Sequence, residues 1–466
     1  MPRTLSRALA TRHGRGPVLA LALVSAGAAW AQAPAQAPAQ AAPEAPAASP
    51  VPAVHLTLAQ ALRTALDQNP RVQQSLLAIA DSQADQRSAV AALMPTVAAQ
   101  ASGQRNKYNL DALFGQPQPH GPVRVGPYNW GSIGVEAEAP IFDLSLWKRW
   151  RAARDMEAAS QAQGRAVREE IAALVVGQYL QALRATAALK AAQSRVDLAE
   201  ALATLAVNQQ KQGVGTKLDT LRAQVQLQME RQRVIQANTQ RVTALAGLGK
   251  LLDLTPGTPI ELEDTLAAPA LPALDFQSAY REGLAQRPEL AALDARQRAA
   301  EHLRQAAQSL RLPSVVASAS YGSTGLQSEP WVPTYQLAVG VKVPLFTGGL
   351  VSAQVAKAKL EEAQVQQARR AVTSQVGLEI QVAQAQMESA QNEVAVADLA
   401  LKLSEEALTQ ARHRFEAGVS SNIEVINAQD DLARANDNQI GALYRLNQAR
   451  ADLARATGQI EKLYTR

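Results

Sequence analysis

Residues 210–225 read QKQGVGTKLDTLRAQV and residues 414–429 read RFEAGVSSNIEVINAQ, with Gly213 and Gly418 standing 205 positions apart. In each, a long proline-free run that favours helix breaks at a glycine. It resumes at Thr216 or Ser421, with an acid three residues on, Asp219 or Glu424, and a shared Ala-Gln beyond. Glycine readily takes the left-handed conformation that ends a helix. A Ser or Thr followed three residues later by an acid forms a capping box that starts the next helix. The two stretches therefore predict the same helix reversal, written twice.

The duplication extends through the chain. LTLAQALRTALDQNP at 56–70 aligns with LDFQSAYREGLAQRP at 274–288, and APIF at 139–142 aligns with VPLF at 343–346. The first copy carries 14 extra residues around FGQPQPHGPVRVGP, between its paired prolines. A repeat of about 200 residues with one plan predicts two structural repeats, 56–252 and 274–458. Each runs helix, proline-bounded β segment, long helix, glycine turn, returning helix. The four prolines of 253–273 mark a linker between them, and 459–466 is read as a C-terminal tail.

Strands are expected at about 95–106, 129–142, 313–324 and 333–346. In TYQLAVGVKVPLF, Tyr335, Leu337, Val339, Val341, Val343 and Leu345 share one face, while Gln336, Ala338, Gly340 and Lys342 share the other. Of 17 aromatic residues after Trp30, 11 fall within 95–150 and 313–346. Tyr128, Trp130, Trp147, Trp150, Trp331 and Tyr335 are near strand ends, where interfacial girdles lie. An apolar outer face with aromatic ends describes the wall of a transmembrane barrel. Four strands cannot close one, and an open edge in lipid is prohibitively costly, so closure needs several copies. The run from Leu146 to Gln212 contains no proline and spans roughly 100 Å as helix. Ala442, Leu446, Ala449, Leu453 and Ala456 repeat at four and three, a narrow seam whose alanines let helices approach closely.

The N-terminus reads as a secretory signal over 1–31: Arg3, Arg7, Arg12 and Arg15, then an apolar stretch and Ala29-Trp30-Ala31. Removing these four arginines takes the formal charge from +5 to +1, which withdraws the main support for a nucleic-acid partner. Residues 32–55 are Pro/Ala-rich and are read as a disordered tether, structure beginning near Leu56. There is no cysteine, so thiolate chemistry, disulfides and a lipidated N-terminal cysteine are excluded. The five histidines show no metal spacing, and GVGTK at 213–217 follows a helix and lacks the first glycine of a phosphate loop. No catalytic residue, cofactor or metal site is expected, and the chain does not read as an enzyme.

Signal, duplicated halves, proline-flanked strands ending APIF and VPLFTGG, and the reversals QGVGTKLDTLRAQ and AGVSSNIEVINAQ resemble the TolC family of outer-membrane efflux proteins across about 56–458. The resemblance implies a mainly α fold with a β-barrel portion: a homotrimer whose 12-stranded transmembrane β-barrel continues as a long periplasmic α-helical barrel. It implies residence in outer-membrane lipid, docking by the tips onto a periplasmic adaptor, and an inner-membrane transporter of RND or ABC type. The cargo is then small toxic compounds or polypeptides. The two aspartates that narrow the periplasmic entrance in the best-known members match Glu424 and Asn427, and Asp219 takes the acidic place in the first reversal. Adaptor-docking tips fall on Gly213, Val214, Gly215, Thr216 and Lys217, and on Gly418, Val419, Ser420 and Ser421. Family tips commonly read VGxR; the matching places here hold Gly215 and Ser420, with Lys217 nearby as a partial substitute. A non-conducting periplasmic coiled-coil scaffold or adaptor protein is the alternative. It has no use for the apolar face of the strands.

Overall fold

A computed structural model describes residues 53–116, 123–269, 275–326 and 329–465. The stretch read as a signal and nearly all of the tether lie outside them, as does part of the long first loop. Ordered structure begins with β1 (Val54–Leu56), two residues ahead of the expected Leu56, because it finds a parallel partner in β4 (Ile260–Leu262). The proline-rich stretch between the repeats is thus partly strand.

The halves match in length. Helices α1 (Leu58–Gln68) and α2 (Pro70–Ala91) have 11 and 22 residues, as do α6 (Phe276–Gln286) and α7 (Pro288–Ser309). Pro70 and Pro288 each open a helix, where a missing N–H costs nothing. Thr57 and Gln60 form a full capping box on α1, and the Asn69 side chain accepts from Arg71 N to cap α2.

Four strands follow: β2 (Thr96–Asn109), β3 (Arg124–Phe142), β5 (Ser314–Leu326) and β6 (Val332–Lys342). They form one antiparallel sheet in the order β2–β3–β5–β6. The short α3 (Leu110–Phe114) lies in the first loop. Val135 pairs with Tyr321, which pairs with Tyr335, and Ala319 pairs with Leu337. One face therefore carries Tyr335, Leu337, Val339 and Val341, the other Glu136, Ser320 and Gln336. β6 stops at Lys342, short of the expected 346. Lys342 faces Ser314, the first residue of β5, and Pro344 has no N–H to offer a ladder. Val343 and Leu345 therefore lie beyond the sheet, Leu345 almost fully exposed.

The long helices are α4 (Leu144–Lys211) and α8 (Leu350–Glu416), with 68 and 67 residues, each about 100 Å long. Their returning partners α5 (Lys217–Leu251) and α9 (Asn422–Ala456) both have 35. Ser145, Ala152, Ala159 and Ala166 are buried at intervals of seven, and so is the seam from Ala442 to Ala456. Small residues at that period allow close, gently supercoiled packing. Near the tips the packing order is α5–α4–α9–α8; nearer the sheet it is α2–α4–α7–α8. The protomer is a layer four elements wide, with β2, α2 and α5 along one edge and β6 and α8 along the other.

The main apolar core sits midway along α4. Leu62, Leu66, Ile171, Val175, Val176, Tyr179, Leu248 and Leu252 are buried there. The Tyr179 hydroxyl lies 2.9 Å from Leu56 O and 2.7 Å from Asp264 Oδ2, bracing the β1–β4 ladder against the helix. Burial, and then the Asp264 carboxylate, push its phenol well above the usual range. The segment read as a tail contains α10 (Ile460–Tyr464), whose Ile460 is fully buried in the same core. Among the described residues, no helix is long and apolar enough to cross a membrane.

Candidate functional site: the two hairpin tips

Gly213 and Gly418 have φ of 77° and 73°, the left-handed conformation, with nothing within 4 Å of where a Cβ would stand. The next residue closes each turn. Val214 N donates to Gln209 O and Gly213 N to Gln210 O, while Val419 N donates to Arg414 O and Gly418 N to Phe415 O. Both are the paired six-to-one and five-to-two bonds of a Schellman motif, so the main chain alone satisfies the last carbonyls. Val214 and Val419 are left 77% and 71% exposed, apolar points at the extreme end of the molecule.

The caps differ. Thr216 Oγ1 accepts from Asp219 N at 3.2 Å and donates to Asp219 Oδ2 at 2.6 Å. Half of the expected capping box is formed. Ser421 makes no side-chain cap, contrary to the sequence expectation; Glu424 N donates instead to the Ser421 carbonyl at 3.2 Å. The Glu424 carboxylate turns to Arg414, 3.4 Å away on the last turn of α8. An acid that finds a cation across the turn is not available to its own N-cap. Asn427 is exposed, and Lys217 is exposed at the first position of α5. Gly215 and Ser420 are half-buried at the turns, and the Ser420 hydroxyl is enclosed without a partner.

Asn422 joins the two tips: fully buried, it donates from Nδ2 to the Asp219 carbonyl at 2.8 Å. Sequence reading passed over it because Asn at the start of a helix looks like an ordinary capping residue. Farther from the tips a polar cluster joins α4, α5 and α9. Glu230, with its side chain 4% exposed, pairs with Arg233 and lies 3.6 Å from Arg195; Arg195 reaches Asp437 at 3.0 Å. Gln226 donates to both Glu230 and Asp430, at 3.0 and 3.3 Å. Burial raises the Glu230 carboxyl above its ordinary range, Arg233 and Arg195 pulling it down and Asp430 adding a smaller push upward. The available signal was a charged residue at a seam position, since Ala223, Gln226 and Glu230 follow the three–four spacing of the buried face. Among the described residues, no group of His, Asp or Glu could hold a metal ion.

The family model described as "Outer membrane efflux protein" matches residues 61–253 and 279–459. The chain is 27% identical over 417 residues to Protein CyaE of Bordetella pertussis, covering 87% of this chain and 84% of that one. It is 26% identical to the pyoverdine export outer membrane protein OpmQ of Pseudomonas putida, over 67% of each. Its fold is similar to that of the outer-membrane channel OprN, with TM-score 0.75 and 20% identity over 86% of this chain and 90% of that one.

Proposed function

The chain belongs to the outer membrane efflux protein family and is an export channel of the outer membrane, and from that premise we propose that three copies close into one duct. The observation that carries this is the pair of unfinished edges. β2 and β6 each have an unpaired side, which lipid does not tolerate. α5 and α8 bear exposed apolar residues at matching heights: Met229 and Ile235 on one, Leu403 and Val396 on the other, roughly 20–30 Å from the tip. Edge joined to edge, three layers of four strands give a twelve-stranded barrel over a helical tunnel. The apolar strand face, of little use to a periplasmic scaffold, then meets lipid.

In this reading the six tips dock onto a periplasmic adaptor, through the segments 213–217 and 418–421. The adaptor connects them to an inner-membrane transporter of RND or ABC type. The cargo is small compounds or polypeptides; the name of OpmQ supports the small-molecule case. Glu424, Asn427 and Asp219 form the periplasmic gate. Threefold symmetry makes Glu424 a ring of like charge that attracts divalent cations, partly offset by Arg414 beside it.

The test has two parts. The purified chain in gentle detergent has the mass of three copies, and single copies sink the ring. In planar bilayers Glu424→Gln weakens divalent-cation block of the single-channel current; unchanged block leaves Glu424 with no part in the gate.

A further inference from the structure

The first turns of α4 carry a feature that neither conduction nor docking uses. Trp147, Trp150, Arg151 and Arg154 stand at i, i+3, i+4 and i+7, one stripe of the helix. Arg151 lies over the Trp147 ring, 4.0 Å from its centroid, and Trp147 is 41% exposed. Neither Arg151 nor Arg154 has a carboxylate within ion-pair distance among the described residues. Nearby charged groups point elsewhere: Lys148 to Gln305, and Asp155 to Arg298 and His302, all on α7.

The helix itself reveals which way the stripe faces. α4 buries small residues every seven positions, so residues separated by whole heptads share a direction. Trp147 and Arg154 share theirs with Val175, and Arg151 with Tyr179. On that side of α4 lie the β1–β4 ladder, whose Leu56 carbonyl accepts from the Tyr179 hydroxyl, and α10, whose Glu461 pairs with Arg168, two heptads beyond Arg154. In a closed ring an added layer on the inner side would fill the bore, so that side is the outside. The stripe therefore faces outward within about 15 Å of the start of α4, directly below the lipid-facing sheet. The second repeat has no such stripe. With Val351 and Ala358 buried as Ser145 and Ala152 are, the matching places hold Ala353, Lys357 and Leu360, and Lys357 is paired with Glu361.

We propose that Trp147, Arg151 and Arg154 form a belt that binds the headgroup phosphates of anionic phospholipids in the leaflet nearest the helices. Charge complementarity and continuity with the apolar wall select this occupant: indole at the interface with cations just beyond it is the pattern that anionic headgroups attract. The inference rests on the closed ring.

Native mass spectrometry of the whole chain in neutral detergent tests it, with phosphatidylglycerol, phosphatidylethanolamine and inorganic phosphate as probes. Three-copy ions should take up phosphatidylglycerol at least fivefold more tightly than phosphatidylethanolamine. The double variant Arg151→Gln/Arg154→Gln should lose most of that preference. Arg154→Gln alone, at an exposed position, should lose part of it; Arg149→Gln, on the opposite side of α4, should keep it. Three-copy ions that bind both lipids equally, or an Arg149→Gln loss as large as the double variant's, overturn the belt while leaving the ring. Inorganic phosphate competing as well as the lipid overturns the lipid as occupant. Single-copy ions overturn the ring and the outward orientation with it.

Discussion

The first hairpin, α4 with α5, and the second, α8 with α9, return over helices of equal length and turn with the same main-chain hydrogen bonds, yet they are fastened differently. In the first, Thr216 ties down the tip and a buried carboxylate, Glu230, draws Arg195 and Arg233 into the seam. In the second, Ser421 caps nothing with its side chain, Glu424 reaches across to Arg414, and the counterpart of Glu230 is the buried Ala435. Duplication preserved what the backbone requires and released what side chains do. The first hairpin buries a charged group in its seam, whereas the second keeps its ion pairs, Arg414–Glu424 and Arg445–Glu393, at more exposed positions and buries Ala435 instead.

Substituting Glu230 by Ala, which makes the first seam resemble the second, is the most severe way to break this contrast. It leaves Arg195 mostly buried with Asp437 as its remaining partner and is expected to cost about 3 kcal/mol locally. Hydrogen exchange near residues 195 and 230 should then accelerate on the order of a hundredfold, with α8 unaffected. Unchanged protection would mean that the ionic seam fastens nothing.

Acidity separates the hairpins more gently. A carboxyl raised in the folded state, as Glu230 is by burial, contributes stability below the ordinary carboxylate range and loses it as pH rises through the raised value. Protection around Glu230 should therefore fall across that window, and Glu230→Gln should flatten the profile. The seam around Ala435 should show no such step.

Gly213→Ala and Gly418→Ala test the shared part. Both meet open space, so only the left-handed backbone is strained, at about 1 kcal/mol each. Unequal shifts in thermal melts would show that the turns are not equivalent. Smallest are the caps: Thr216→Ala should cost about 1 kcal/mol, and Ser421→Ala should stay within about 0.5 kcal/mol. The reverse ranking would contradict the hydrogen bonds at these two positions.

The repeat, the reversals at Gly213 and Gly418 and the alternating face of β6 were legible because each rests on local chemistry with a short period. The ends of elements were less so. Alternation continues through Val343 and Leu345, but pairing stops when β5 has no residue left to offer and Pro344 has no donor. The β1–β4 ladder joins segments some 200 residues apart, and nothing in VHL or IEL alone announces the other. At the site, the carboxylate half of the second capping box is lost to Arg414, distant in pattern but adjacent across the turn, and the Glu424 N–H goes to the Ser421 carbonyl rather than its side chain. Arg195 and Asn422 are illegible for a related reason: their partners, Glu230 and Asp219, are on another helix.

The turns at Gly213 and Gly418 also bear on how such a molecule changes over generations. Their shape is held by amide and carbonyl groups that every residue except proline supplies. Apart from Thr216, the exposed side chains there carry little of the folding. Val214, Lys217 and Val419 can therefore be exchanged with small effect on the helices above. Under the proposed docking, substitutions at the tips re-key that contact and leave the hundred-ångström framework behind it intact.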